Sequence, residues 1–130
     1  MADVGSVDIE IELVAWLGAE LQVRVLTELP STLTDILPVL LVQRVGGDDD
    51  TFRLDRALVD VDAYAATRAE AAALAGSARG RLVAVLRGTS TDSAVFGRVS
   101  TVQAPAWRPY ENTSLRRIGA TYEIYFHPVS

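Results

Sequence analysis

The stretch Arg117-Ile118-Gly119-Ala120-Thr121-Tyr122-Glu123-Ile124-Tyr125-Phe126-His127 decides the fold. Ile118, Ala120, Tyr122, Ile124 and Phe126 fall on one side of an extended chain. Arg117, Gly119, Thr121, Glu123, Tyr125 and His127 fall on the other. Strict alternation over this length reads as a β-strand with one face in a core. Such a face needs a partner layer.

Upstream, Thr67-Arg68-Ala69-Glu70 is a capping box, which opens a helix. Ala71, Leu74, Ala75, Ala78, Leu82, Val85 and Leu86 form its apolar face, and Gly88 after Arg87 suits the C′ position. Gly76 and Gly80 weaken the helix by about 1 kcal/mol each relative to Ala, a cost that closer packing on the sheet would offset. Between helix and last strand, a further strand runs from about Val95 to Gln103. An irregular stretch follows, Ala104-Pro105-Ala106-Trp107-Arg108-Pro109-Tyr110.

Before the helix, Pro38 to Val45 reads as a strand with Pro at its edge. Gly46-Gly47 breaks it and Asp48-Asp49-Asp50 makes a polar tip. The chain returns along Arg56 to Tyr64, with Ala57, Val59, Val61 and Ala63 on one face and Leu58, Asp60, Asp62 and Tyr64 on the other. This is a hairpin with a long acidic connection. Gln22 to Leu26 is a short strand, and Pro30 to Thr34 is a loop with room for one helical turn.

The first segment, about Val7 to Glu20, has Ile9, Leu13, Trp16 and Leu17 at helical spacing, with Ser6 as its cap and Asp8, Glu10 and Glu12 suiting the macrodipole. Val7, Ile9, Ile11 and Leu13 also alternate as a strand would; the helix is the preferred reading. A second stripe, Val7, Ile11 and Val14, lies nearly opposite the first. A helix apolar on two faces is usually buried on two faces, so this stripe is a candidate assembly contact. The expected fold is α+β: a single domain over residues 1–130, with residues 1–6 a flexible tail. A mostly antiparallel mixed sheet is packed by two helices in the order α-β-β-β-α-β-β.

Composition narrows function. The chain has 130 residues, no Cys, 17 acidic and 12 basic residues, and a net charge of −5. All the basic residues are Arg. Without Cys there is no disulfide scaffold, zinc ribbon or thiol nucleophile. The acidic balance opposes sequence reading of duplex DNA. No segment reaches the length of a membrane span, and the first residues lack a secretory signal pattern, so neither membrane nor export is expected.

Chemistry is sparse. His127, the only histidine, lies at a strand end with no nucleophile elbow to serve. Asp48, Asp49 and Asp50 lack the spacing of a calcium loop and read as a solvated tip. Asp60 and Asp62 share a strand face but have no ligand cluster beside them, so they read as a polar face or as partners for Arg. No phosphate-binding loop is present. No catalytic residue, cofactor or metal site is expected. Trp107, Arg108 and Tyr110 are residue types enriched at protein interfaces, and the same types stack on bases in single-strand binders. The acidic balance favours the interface.

Three stretches carry a family resemblance. One is Leu13-Val14-Ala15-Trp16-Leu17 leading into Val23-Arg24-Val25. The second is Leu37-Pro38-Val39 through Val42-Gln43-Arg44-Val45-Gly46-Gly47, followed by Val59 to Ala65. The third is Pro105 to Asn112, ending in Arg117 to Glu123 and His127-Pro128. In this combination the chain resembles the tail terminator (tail completion) proteins of long-tailed bacteriophages. The resemblance implies a structural virion protein and no enzyme. It implies a hexameric ring on the last ring of the tail tube that stops polymerisation and offers the head-joining surface. The implied partners are further copies of itself, the major tail tube protein and a head-completion or neck protein. The implied place is the head-proximal end of the tail, assembled in the host cytoplasm. DNA would pass through an acidic lumen without sequence-specific binding. The alternatives are another neck component, such as a head-completion or head–tail adaptor protein, and a small nucleotide-binding or hydrolytic domain. Candidate contacts are Val7, Ile11 and Val14 on the first helix, Arg44, Arg53 and Arg56 around the hairpin, and Trp107, Arg108 and Tyr110 in the late loop.

Overall fold

A computed structural model describes residues 4–51 and 53–129. Of the expected N-terminal tail, residues 1–3 lie outside the described residues. The elements run α1 (Ile9–Leu21), β1 (Arg24–Leu26), a 3-10 turn (Leu33–Asp35), β2 (Val39–Asp49), β3 (Asp55–Ala65), α2 (Arg68–Arg81), β4 (Ala94–Trp107) and β5 (Arg116–Pro128). The strand order is β1-β2-β3-β5-β4. Only β1 and β2 are parallel. The fold is α+β, with both helices on one face of a mostly antiparallel mixed sheet, in the order expected.

The alternation of β5 is observed as read: Ile118, Ala120, Tyr122, Ile124 and Phe126 are all buried. Across the sheet they stand in register with Ala63, Val61, Val59, Ala57 and Asp55 of β3. Apolar rows from β2 and β4 extend this face, and α1 and α2 cover it. Burial of each large side chain here contributes roughly 1.5–3 kcal/mol.

Both helices start at side-chain caps. Thr67 accepts from the Glu70 amide at 3.2 Å, the first bond of the capping box, and its hydroxyl donates to Glu70 Oε1 at 3.1 Å. In α1 the cap is Asp8, not Ser6: its carboxylate accepts from the Glu10 and Ile11 amides. A carboxylate there also meets the positive end of the helix dipole.

Several expectations are corrected. Gly46-Gly47 does not break β2. The strand continues to Asp49 across a bulge that leaves Val45 as the extra residue. Gly47 takes φ +108°, and a Cβ there would stand 2.9 Å from Ala57 Cα, so only Gly fits. The stretch 104–107 is not irregular; it extends β4, which tolerates Pro105 through register shifts at an open edge. Gly76 and Gly80 face open space, and the close approach of α2 to the sheet is made by buried Ala71, Ala75 and Ala78. Val85 is exposed, because α2 widens into a π-helical segment over Leu82–Leu86 that turns it off the apolar face. Gln22 is not in β1; it ends α1 in the left-handed region.

Candidate functional site

The bulge at Val45 sorts the charges of the hairpin. Before it, Arg44 pairs with Val59 on the helix-covered face. After it, Asp48 pairs with Arg56 on the opposite face. Arg44 therefore reaches Asp55 with two parallel bonds of 2.8 and 2.7 Å. Asp55 is buried, and its hydrogen bond holds the Arg44 guanidinium above its usual pKa. The Arg44 amide donates to Glu10 Oε2 at 2.8 Å, which ties α1 to the base of the hairpin. On the other face Arg56 binds Asp48 at 2.7 Å and Glu123 at 2.8 Å. The pair lowers the Asp48 carboxyl and raises the Arg56 guanidinium. Arg53 donates to the Pro128 carbonyl at 2.9 Å.

The face of the sheet without helices carries a second charged network. Arg108, just beyond β4, reaches back across the sheet. It donates to Asp62 at 2.8 Å and to Gln103 at 3.1 Å, and lies 3.5 Å from Asp60. Asp62 is 6% exposed. Burial pushes its carboxyl up, the nearby Asp60 charge adds to this, and Arg108 and Arg117 oppose it. Arg117 spreads over the Tyr110 ring at 5.3 Å, and Tyr110 meets Tyr64 edge-on at 5.5 Å. Those rings belong to a small second core with Leu33, Val39, Leu41 and Leu115. Burial pushes the Tyr64 phenol up.

The candidate contact residues therefore do not converge on one site. Arg44, Arg53, Arg56 and Arg108 all have partners within the chain, and Tyr110 is packed in the second core. Two candidates stand exposed. Ile11 is 62% exposed on the outer side of α1, while Val7 and Val14 of the same stripe are half-buried against the core. Ile11, Val14 and Ala15 line a shallow groove with Val25, Leu26 and Thr27 of the β1 edge. Trp107, at the end of β4, is 42% exposed beneath the Arg68 guanidinium at 5.7 Å.

Gly119 was missed by the sequence reading. It is buried beneath Arg108, and a Cβ there would stand 2.7 Å from Arg108 Cδ and on the Asp62 carboxylate. A lone Gly in an alternating strand is the signal that something approaches closely.

Among the described residues no group of three or more His, Asp or Glu could hold a metal ion. None of the described helices is long and apolar enough to cross a membrane. His127 lies at the end of β5, its Nδ1 2.7 Å from the Pro128 carbonyl oxygen. The geometry offers two charged clamps satisfied within the chain, one polar sheet face, and exposed apolar side chains at Ile11 and Trp107.

No curated protein matches the chain. The family described as phage tail termination protein matches residues 5–128. The chain belongs to that family, a family of structural proteins of the virion tail that work in contact with other tail or neck proteins.

Proposed function

We propose that this chain forms a hexameric ring on the head-proximal end of the tail tube, ends tube polymerisation there, and offers the surface to which the head is joined. The single observation that carries this reading is the family match, which runs through both helices and all five strands. The site chemistry agrees with it. The ionic side chains described above are engaged in holding the sheet and hairpin rather than in presenting a reactive group.

Charge supports the passage of DNA. Six copies at −5 each carry about −30 around a lumen. That repels a phosphate backbone instead of releasing its counterions, so DNA slides through without sequence-specific binding. The partners are then further copies of the chain, the major tail tube protein and a head-completion or neck protein, met after assembly in the host cytoplasm. The chain acts without catalysis.

The test is the length of tail tubes made when the chain is absent. A terminator's loss gives tubes longer than normal. Tubes of normal length that fail to join heads would overturn the reading in favour of an adaptor or head-completion role. Native mass of the purified chain near six times 14.0 kDa, with a central hole in negative stain, is the expected assembled species.

A further inference from the structure

The strand order places β1 at one edge of the sheet and β4 at the other. The two ends of the domain differ in charge. From Asp8 to Ile36, covering α1 and β1, there are six carboxylates and only one basic residue, Arg24, a formal −5. At the β4 edge stand the exposed Arg98 on the strand and Arg68 of α2, whose guanidinium lies over Trp107, whereas Arg81 at the other end of α2 pairs with Glu20 of α1. Each end also exposes apolar side chains: Ile11 above the groove at the β1 edge, and Val102 on β4, 58% exposed.

We infer that these two ends are the two halves of one contact, and that the occupant of the β1-edge groove is the β4 edge of a second copy of this chain. Opposite charge on opposite ends favours head-to-tail association and disfavours pairing of like ends. A head-to-tail contact is heterologous: each copy uses one end on each neighbour, so a chain of copies closes into a ring when the rotation allows. The inference rests on the proposed ring and names its surfaces.

The contact is made by side chains rather than by continuing the sheet. β1 offers only three residues. β4 is interrupted by register shifts after Phe96, Thr101 and Gln103, and Pro105 has no amide hydrogen. Bulges and Pro are the usual means of keeping an edge strand from pairing with a neighbour. The same bulge that interrupts the ladder after Thr101 leaves Val102 out of the pairing and exposed.

The absence of Cys gives a clean test. Two single-Cys variants, Ile11→Cys and Val102→Cys, are purified, mixed and oxidised, both alone at high concentration and on purified tail tubes. Both positions are exposed, so neither change disturbs the core. The expected result is a disulfide between the two variants, severalfold above either variant linked to itself. A second pair of variants, Glu28→Arg at an exposed position two residues past β1 and Arg98→Glu at an exposed position on β4, each weakens self-association on the order of tenfold at low salt, and mixing the two restores part of it. Self-linked products in excess, or no mixed disulfide in either sample, overturn the inference. Native mass is read in parallel. A ring without the mixed disulfide overturns the edge assignment alone. Monomers in solution that also fail to bind tubes overturn the ring itself.

Discussion

Arg108 Nη1 and Asp62 Oδ1 meet 2.8 Å apart above Gly119, which has no side chain to part them. Any Cβ at 119 would stand 2.7 Å from Arg108 Cδ and 2.8 Å from its Nη1. Gly119→Ala should therefore displace Arg108 or shift β5, at a cost of about 1–3 kcal/mol. The urea midpoint should fall with little change in m-value. An unchanged midpoint would mean that Arg108 is not held where the structure places it.

Removing Arg108 is a different experiment from removing Asp62. Arg108→Ala leaves a buried carboxylate without its main partner, a loss of about 3–5 kcal/mol at neutral pH. Asp62→Asn removes the charge together with the need for a partner, and should cost far less. The sign of the pH dependence follows from burial. The Asp62 carboxyl sits above its ordinary value of 3.8 in the folded chain, so the folded state binds more protons than the unfolded state as pH rises past that value. Its contribution to stability is greatest below about 3.8 and is lost as pH rises through the raised folded value. In urea unfolding, wild type should gain on Asp62→Asn as pH falls from 7 towards 4. A gap that widens against wild type instead would show the carboxylate to be net stabilising when ionised.

The main sheet and both helices were legible because their signals are local. β5 alternates over its whole length, and Thr67 with Glu70 states where α2 begins. What was not legible depends on which residues face each other. Counting by twos through Val45 puts Arg44, Gly46 and Asp48 on one face, and nothing in the residues announces the bulge that separates them. Arg108, Arg44 and Arg56 read as free cations for a partner because their carboxylates lie on other strands. The extended 104–107 stretch read as irregular because Pro105 argues against a strand until the strand is known to be an edge. A helix that opens at Val7 points to Ser6 as its cap; the helix opens two residues later, at Ile9, and its cap is Asp8.

Arg44 and Asp55 make a sharper prediction for the hairpin. Arg44→Met keeps the stem packing but leaves Asp55, 5% exposed, without its bidentate partner. The expected loss is about 3 kcal/mol or more. Arg44→Met combined with Asp55→Leu should recover most of it, because an apolar pair of similar volume needs no partner. A double-mutant cycle on chemical unfolding reads the coupling. Additive losses would show that the two residues act separately.

Gly76 and Gly80 test where α2 makes its close approach. If the glycines were needed against the sheet, any side chain there would destabilise the domain. Both positions are exposed on α2, neither has a positive φ, and a Cβ at either meets nothing within 4 Å. Replacement by Ala then acts only on helix propensity and on the freedom of the unfolded chain, both in the stabilising direction. Each of Gly76→Ala and Gly80→Ala should add about 0.5–1 kcal/mol, raising Tm by a few degrees. The two should be nearly additive, since they share no packing partner. The reverse substitution, Ala75→Gly, at a position that faces the sheet and is 3% exposed, should lower stability by about 1 kcal/mol. A loss of stability in both Ala variants would place the sheet against the glycine face of α2 instead.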